Sequence, residues 1–335
     1  MTTHGDMIME YGGVPVGAGR LAKIFQAKNI FFVDGDHGRD GASGKKPAEA
    51  VALPSVAVGL AAKEGILYIR PRTTIDNEDV YYSDEIVVPI TKPHIQLIGA
   101  GSGTVPGYRG AAQIRPSSAV NPIIDILSSG CAVENLHINH TGGNVACASL
   151  QCSRRAAYPG AVALQVRNCR FISLSGGGSD GDIVGGAVGL GSAQYSIVED
   201  NLFLGCRNSI TMWATHGSPQ GITIRRNIFA GMVLERDADI VIGITDINSR
   251  GHAIVDNYFL DGQPNHAEGL KQKFIWSESV TTSTSTGIIA RNFFADKTAI
   301  ASVDGYGKTG SAGLIGEFWW FVGNHNEVGL IPRKD

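Results

Sequence analysis

The sequence has 335 residues and 44 glycines, about twice the glycine share usual in globular proteins. Charged residues make up 18% and hydrophobic residues 43%, which indicates a packed, weakly charged chain rather than a disordered one. The glycines follow no three-residue period, which excludes collagen, and no apolar run reaches the roughly 18 to 20 residues of a membrane-spanning helix. We therefore expect a soluble chain without a membrane partner.

The charge balance argues against a nucleic-acid partner. Lysine and arginine total 28, aspartate and glutamate total 31, and the formal net charge is -3. No basic stripe of the kind that binds a phosphate backbone is visible. The first residues have neither a basic segment nor an apolar stretch behind it, so we expect no export through a secretory signal peptide.

The first thirty residues predict an extended arm that contains the glycine pair Gly12–Gly13. A strand at Phe31–Val33 then leads into a polar loop over 36–44, which is either a turn or a calcium site built from Asp34, Asp36 and Asp40. An Ala-, Val- and Leu-rich helix follows over 47–64, with Pro54 expected to kink or split it. After a further strand within 65–71, we expect this module to cover the open end of a stacked fold.

The rest of the chain contains an internal repeat. An apolar residue, one or two further residues, an asparagine and a pair of residues that is usually apolar or aromatic recur seven times. Successive asparagines are separated by 33, 33, 26, 30, 35 and 32 residues. The repeated asparagines are Asn135, Asn168, Asn201, Asn227, Asn257, Asn292 and Asn324.

Units of about 30 residues with two or three short strands indicate a right-handed parallel β-helix, because stacked coils bury an inner face that one coil cannot bury alone. A propeller would need antiparallel hairpins, and a leucine-rich solenoid would need its leucine pattern. The span from Lys92 to the end fits about eight coils. In each coil we expect the asparagine to take the left-handed conformation and to bond to its counterpart in the next coil. The aromatic or aliphatic residue one or two positions later should point inward and stack.

Five cysteines lie in the middle of the chain in apolar contexts, without a Cys-x-x-Cys pair. We expect them to be small buried hydrophobic residues rather than a metal site. They are Cys131, Cys147, Cys152, Cys169 and Cys206.

The strand at Phe32–Gly35, the loop Gly41–Gly44, the segment Gly65–Pro71 and the strand Ile95–Gly101 together resemble the first coils of the pectate-lyase-like β-helix superfamily. The asparagine repeats extend this resemblance over roughly residues 31–326. With the glycine-containing arm in front, the chain also resembles β-helix virion proteins of tailed bacteriophages. At this level the likeness is an analogy of fold.

Enzymes of this superfamily cleave polysaccharides by elimination or hydrolysis. The Asn-Thr-Asp, Asp-Asp and Arg-Ile-Lys elements that its hydrolases share are absent here. The nearest catalytic candidates are Asp180 and Asp182 with His216, and the simpler interpretation of the two aspartates is a Gly- and Ser-rich surface loop. His252 falls in another coil and could stack on His216.

A second acidic concentration is either a calcium site on the outside of a coil or a solvated loop. Its members are Glu235, Asp237, Asp239 and Asp246. The polar run Ser279–Thr286 carries no recognisable chemistry. The four aromatics Phe318–Phe321 should either cover the last coil, contact another chain or stack on a sugar ring. We assign no catalytic, cofactor-binding or metal-binding residue and expect no cofactor.

The sequence thus predicts an all-β chain: an arm over 1–30, a capping module with one helix over 31–91, and a parallel β-helix body with an aromatic cap over 92–335. The predicted role is a structural component of a tailed-phage virion, a capsid decoration or fibre-like protein assembled in the host cytoplasm. Expected partners are further copies, with a homotrimer favoured, a major capsid or tail protein, and a host-surface glycan. The alternative is a polysaccharide lyase or glycoside hydrolase of the tailspike type.

Overall fold

The fold is described from a computed structural model, and the statements below concern the residues whose positions it defines. These are residues 10–11, 14–15, 29–72, 81–100, 111–115, 122–140, 148–153, 162–173, 186–191, 193–206, 208–213, 218–230, 240–244, 248–260, 273–277, 285–295, 319–326 and 329–330.

Three parallel sheets run along the molecule, and each coil of the chain contributes one strand to each sheet in turn. Sheet A has ten strands. They are β3 (Ile30–Val33), β4 (Ile66–Ile69), β7 (Gln96–Gly99), β10 (Ala132–Glu134), β13 (Gln165–Arg167), β16 (Ile197–Glu199), β19 (Thr223–Arg225), β22 (His252–Val255), β25 (Gly287–Ala290) and β27 (Trp319–Val322).

Sheet B also has ten strands, parallel except for the last. They are β5 (Tyr82–Ser83), β8 (Ala112–Arg115), β11 (Leu136–His140), β14 (Arg170–Ser173), β17 (Leu202–Leu204), β20 (Ile228–Ala230), β23 (Tyr258–Leu260), β26 (Phe293–Ala295), β28 (His325–Asn326) and β29 (Gly329–Leu330). Sheet C has seven. They are β6 (Ile86–Val88), β9 (Ile124–Ile126), β12 (Ala148–Ser153), β15 (Gly186–Gly191), β18 (Ile210–Trp213), β21 (Ile240–Ile244) and β24 (Lys273–Ser277).

The chain is a right-handed parallel β-helix, as the repeat predicts. Eight strands of sheet A follow residue 92, which agrees with the expected number of coils. The first full coil comes earlier, because β4, β5 and β6 already pair with the next strands of sheets A, B and C. The strands of the predicted capping module therefore continue the sheets of the body.

The core is a set of side-chain columns that run parallel to the helix axis. Five phenylalanines of sheet B stack face to face, with ring centroids 5.0, 4.9, 4.8 and 4.7 Å apart. These distances match the spacing of neighbouring strands, so the backbone ladder itself sets the ring stack. The predicted inward residue one or two positions after the asparagine is confirmed at Phe203, Phe229, Phe259 and Phe294, and Phe171 joins the same column three positions after Asn168.

From β10 onward, each turn from sheet A to sheet B is only one or two residues long and contains one residue in the left-handed region. The sequence analysis placed every repeated asparagine there, and this is correct only for Asn135 and Asn168. In the next four coils the residue before the asparagine has positive φ, as at Asp200 and Arg226, and Gly323 takes this position in the last coil. From the third coil of the series onward, the left-handed residue is therefore the one before the asparagine and no longer the asparagine itself.

The shifted asparagines form a hydrogen-bonded ladder, which confirms the predicted bonding between coils for five of the seven. Each amide oxygen accepts from the backbone N–H and the amide nitrogen of the asparagine in the preceding coil, at 3.0 to 3.1 Å. At the start of the ladder, Asn201 Oδ1 accepts a hydrogen bond from the backbone N–H of Cys169. The members are Asn201, Asn227, Asn257, Asn292 and Asn324.

The predicted helix over 47–64 is split, as Pro54 suggested, but this proline begins the second piece rather than kinking a continuous helix. A short 3-10 turn, η1, spans Pro47–Glu49, and helix α1 spans Pro54–Leu60. Proline suits a first helical position, where its missing N–H has no partner to lose. The Asp84 carboxylate accepts from the Ser55 N–H at 2.7 Å, and Lys92 donates to the Gly59 carbonyl at 2.6 Å, so β-helix residues satisfy both ends of α1.

The arm is described only where β1 (Glu10–Tyr11) and β2 (Val14–Pro15) pair antiparallel across Gly12–Gly13. The rest of the predicted arm lies outside the described residues. Where the structure defines helices, none has the length and hydropathy needed to cross a membrane.

Four of the five cysteines are buried with free thiols, as predicted; Cys147 lies outside the described residues. Burial raises the pKa of the Cys131 thiol to about 11 and the pKa values of Cys169 and Cys206 to about 12. These thiols are therefore protonated near neutral pH and act as small apolar side chains.

Candidate functional site

The densest group of charges in the described part of the chain lies on the outer face of sheet A. Glu199 is buried there and is contacted by arginines on both carboxylate oxygens. Arg167 Nε lies 2.6 Å from Oε1, while Arg225 Nε and Arg226 Nη2 lie 2.6 and 2.7 Å from Oε2. Three consecutive sheet strands, β13, β16 and β19, supply Arg167, Glu199 and Arg225 at one register position.

A second charged column follows the left-handed turn residues between sheets A and B. Arg226 forms two hydrogen bonds to the Asp200 carboxylate, both of 2.8 Å, and Arg291 forms two to Asp256, of 2.7 and 2.8 Å. The hydrogen bond from Arg291 lowers the pKa of Asp256, and the hydrogen bond to Asp200 raises that of Arg226. Paired forks of this kind hold both partners in one geometry.

These charges are paired between coils and not directed at a common point in solvent. Each guanidinium of the pairs bridges the rise from one coil to the next. The Glu199 carboxylate is enclosed by arginines on both oxygens, which leaves it unsuited to act as a general base or as a metal ligand. The outer face of sheet A in this region is therefore best explained as a brace along the helix axis.

A third polar group lies beside the first strands of sheet A, near the N-terminal end of the β-helix. Burial raises the pKa of Asp34, but hydrogen bonds from Arg70 and from the N–H groups of Asp36 and His37 lower it by more, so it lies below the usual value. Arg70 Nη1 lies 2.6 Å from Asp34 Oδ2, and Arg72 Nε donates to Asp36 Oδ1 at 3.0 Å. Both carboxylates are thus engaged by arginines, which supports the turn interpretation of this loop over the calcium alternative.

One histidine and two serines form a buried network where sheet B turns toward sheet C. His140 Nδ1 lies 3.3 Å from Ser149 Oγ, which lies 2.8 Å from Ser173 Oγ. A histidine beside a serine hydroxyl is the pairing that activates a nucleophile. Here all three side chains are fully buried, so the network serves the interior of the coil rather than a substrate.

Of the two candidate histidines, His252 lies among the described residues and is buried. Its ring stacks on the indole of Trp319 with centroids 6.1 Å apart, and its Nδ1 accepts from the Ile222 N–H at 3.3 Å. Burial lowers its pKa from 6.5 to about 4. A proton on Nδ1 would break the bond to Ile222, so the neutral ring belongs to the folded state.

We expect His252→Asn to reduce the loss of stability between pH 6.5 and pH 4. Below pH 6.5 the His252 side chain is protonated in the unfolded chain, whereas in the folded chain it stays neutral until about pH 4. The free energy of unfolding therefore decreases by up to about 3 kcal/mol as the pH is lowered through this range. Asparagine keeps an acceptor near the position of Nδ1 but does not titrate. Urea unfolding at several pH values measures the slope. A slope in His252→Asn equal to that of the wild type would contradict this role of His252.

On the outer side of sheet C, the indole of Trp213 packs directly against the backbone of Gly189 and Gly191. A Cβ atom added to Gly189 or Gly191 would lie 2.4 or 2.8 Å from the Trp213 indole, so only glycine permits this approach. Trp213 is 6% exposed and its strand neighbour Thr211 is fully buried, although neither belongs to the apolar core cluster. This tryptophan is therefore covered and offers no open platform for a sugar ring.

The remaining candidates fall mostly outside the described residues. This holds for Asp180, Asp182, His216 and the acidic group Glu235, Asp237, Asp239 and Asp246, and for the polar run except Ser285 and Thr286. Of the four clustered aromatics, Trp319 is buried against His252 and Trp320 is 63% exposed on the outer face of sheet A. The side chains of Phe318 and Phe321 are not described. Among the described residues, no group of three or more His, Cys, Asp or Glu side chains is arranged to hold a metal ion.

Sequence reasoning missed the charged columns, although a signal for one of them is present. The residue before the ladder asparagine reads Asp200, Arg226, Asp256 and Arg291 in four successive coils, an alternation of sign at the repeat spacing. The ladder around Glu199 has no comparable signal, because it depends on which strand residues of three coils share one register.

Comparisons with known proteins agree with the geometry. No protein-family model matches the chain, and no curated protein is similar to it in sequence. Solved structures that resemble it include a pectin methylesterase from Aspergillus niger, with 10% identity, a TM-score of 0.51 and coverage of 92% of both chains. Escherichia coli ybhc has 13% identity and a TM-score of 0.51, with coverage of 98% of this chain and 97% of its own.

The fold is that of the pectate-lyase-like β-helices. A further neighbour is PfbA, a surface adhesin of Streptococcus pneumoniae, with 12% identity, a TM-score of 0.46 and coverage of 81% of this chain and 70% of the adhesin. At identities of 10 and 13%, the two structures with a TM-score of 0.51 show the fold alone, so activity has to be argued from the residues of this chain.

Proposed function

We propose that this chain is a structural component of a tailed-bacteriophage virion, a rigid β-helix that its N-terminal arm anchors to the capsid or the tail. The observation that carries the proposal is the use of polar side chains in the described coils. The Glu199 group, the Asp200–Arg226 and Asp256–Arg291 pairs and the asparagine ladder all join one coil to the next. Polar contacts that link successive coils along the helix axis suit a rigid rod that bears mechanical load.

The assignment to a phage rests in addition on the sequence resemblance to β-helix virion proteins of tailed bacteriophages. Residues 1–29 precede the first strand of sheet A in the sequence, and the proposal assigns to this terminal segment the contact with a neighbouring protein. The partners proposed are further copies of the chain and a major capsid or tail protein on the particle surface, after assembly in the host cytoplasm. The charge balance gives no reason to add nucleic acid to this set.

Quantitative mass spectrometry of purified particles tests the proposal. We expect the full chain to be present at a fixed copy number per particle, and a chain that starts at residue 30 to be lost from particles while it keeps its thermal unfolding temperature in solution. Equal incorporation of both chains would contradict anchoring by the arm. Absence of the full chain from washed particles would overturn the virion role.

The alternative is a polysaccharide lyase or glycoside hydrolase, and the observation in its favour is the fold shared with the Aspergillus niger pectin methylesterase. Its candidate residues are Asp180, Asp182 and His216. An assay of new reducing ends and of new carbon–carbon double bonds on a panel of acidic and neutral polysaccharides distinguishes the two functions. The structural function predicts no turnover. Turnover that Asp180→Asn with Asp182→Asn abolishes would establish the enzyme instead.

A further inference from the structure

The outer surface of the β-helix changes character along its axis. On sheet A, one outward row begins with Glu134, Arg167, Glu199 and Arg225 and continues with Val255, Ala290 and Val322. On sheet B, the row of His137 and Arg170 continues with Leu202, Ile228, Tyr258 and Phe293. A solvated sheet face normally keeps polar residues outward along its whole length, so the last coils depart from that rule.

The departure coincides with exposure. The described residues include eight exposed large hydrophobic side chains, and five of them lie on sheets A and B in the last four coils. We call these five residues together with the half-buried Phe293 the corner patch. It consists of Ile228 (40% exposed), Tyr258 (54%) and Phe293 on sheet B, and Ile288 (38%), Trp320 (63%) and Val322 (52%) on sheet A.

The patch is continuous within each sheet. Ile228, Tyr258 and Phe293 are register neighbours on adjacent strands, and the rings of Tyr258 and Phe293 lie 6.2 Å apart. Ile288 and Trp320 are register neighbours on sheet A. Between the two halves runs the turn that carries Asp256 and Arg291, whose charges are paired with each other. The patch therefore presents apolar surface on two faces of one edge, without a net charge between them.

We propose that the corner patch is the contact surface between copies of this chain, with the sheet A half of one copy packed on the sheet B half of the next. A second copy has the same rise of about 4.8 Å per coil, so its side-chain rows interdigitate with these rows over several coils. Contacts between unlike faces of one edge are heterologous, and they form a ring that covers both halves on every copy when the rotation between neighbours closes. The inference specifies the contact between the further copies proposed above, and it does not depend on the virion role.

The composition of the patch favours protein over sugar. Ile228, Ile288 and Val322 offer a glycan neither a stacking face nor a hydrogen bond, and the nearby Asp256 and Arg291 already satisfy each other. Aromatic and aliphatic side chains around a neutral centre are typical of the middle of a protein interface. Four coils of about 4.8 Å with a face about 10 Å wide give about 200 Å² for each half, so each copy buries about 400 Å² of apolar face over its two contacts. One half supplies about a quarter of the roughly 800 Å² per partner in a standard interface, and a polar rim has to supply the rest.

Two single variants and their mixture test the contact by light scattering after size exclusion. Tyr258→Lys disables the sheet B half and Trp320→Lys disables the sheet A half, and both sites are exposed, so the fold should remain intact. We expect the wild type to be a closed oligomer, with three copies favoured, and each variant to run near 35.4 kDa. Val87→Lys places the same charge at an exposed apolar site on sheet C outside the patch and should assemble like the wild type.

The equimolar mixture is the decisive arm. The intact sheet A half of Tyr258→Lys should pack on the intact sheet B half of Trp320→Lys and give a species of twice 35.4 kDa that cannot close. A mixture that stays monomeric, or single variants that still dimerise, would overturn the contact between unlike faces. A wild type that is monomeric at about 100 μM would overturn the interface. Loss of glycan-array binding in Trp320→Lys would then identify the patch as a sugar surface. These solution outcomes do not depend on whether virions contain the chain.

Discussion

Phe229→Ala is expected to lower the free energy of unfolding by about 4 kcal/mol, because large-to-small replacement of a buried phenylalanine costs about 3–5 kcal/mol. Phe229 is 1% exposed and lies between Phe203 and Phe259, with ring centroids at 4.9 and 4.8 Å. The two neighbouring rings are held by their own strands, so they cannot collapse into the space. Urea unfolding followed by circular dichroism measures the change.

A graded control separates ring stacking from simple filling of volume. Phe229→Leu keeps an apolar side chain in the column and should cost no more than about 1.5 kcal/mol. A loss below 1 kcal/mol for the alanine variant would show that the column relaxes around the gap. In that case the strand spacing would not fix the ring positions as described.

Asn257→Leu should cost a similar amount, about 4 kcal/mol, by a different mechanism. The Asn257 side chain makes four hydrogen bonds of 3.0 to 3.1 Å. Its oxygen accepts from the N–H and the amide of Asn227, and its nitrogen donates to the Ile224 carbonyl and to Asn292 Oδ1. Leucine has nearly the same size but leaves these buried groups unsatisfied, at about 1 kcal/mol or more each. Chemical unfolding at neutral pH measures the loss.

The corresponding turn of an earlier coil supplies a control. Asn168 occupies the left-handed position of its coil with φ of 50°, and glycine tolerates that conformation. Asn168→Gly should therefore change stability by less than about 1 kcal/mol. If it cost as much as Asn257→Leu, the two asparagines would have equivalent roles and the shift of the ladder by one position would be wrong.

The parallel β-helix was predictable because its main signals are local and repeated. An asparagine beside a tight turn and a phenylalanine two residues later, as at Asn227 and Phe229, identify the turn and the inward column together. The exact left-handed residue was not predictable. Asp200 and Asn201 both tolerate positive φ, and Arg226 takes it because the following asparagine is needed in the ladder.

The outward faces were harder to predict for a physical reason. Sequence spacing between equivalent residues varies from 26 to 35, as between Asn201 and Asn227 or Asn257 and Asn292, because the connections between sheets differ in length. Without the register, the contact of Glu199 with Arg167 and Arg225 cannot be derived. The exposed apolar set is hidden for the same reason, since Ile228 and Tyr258 look like core residues of short strands.

Immunogold electron microscopy of purified particles tests directly whether this chain is part of a virion. With an antibody raised against the full chain, we expect gold at regular positions on the capsid or the tail of most particles, and no labelling of particles from a deletion of the gene. Labelling confined to the soluble fraction, with bare particles, would contradict the claim.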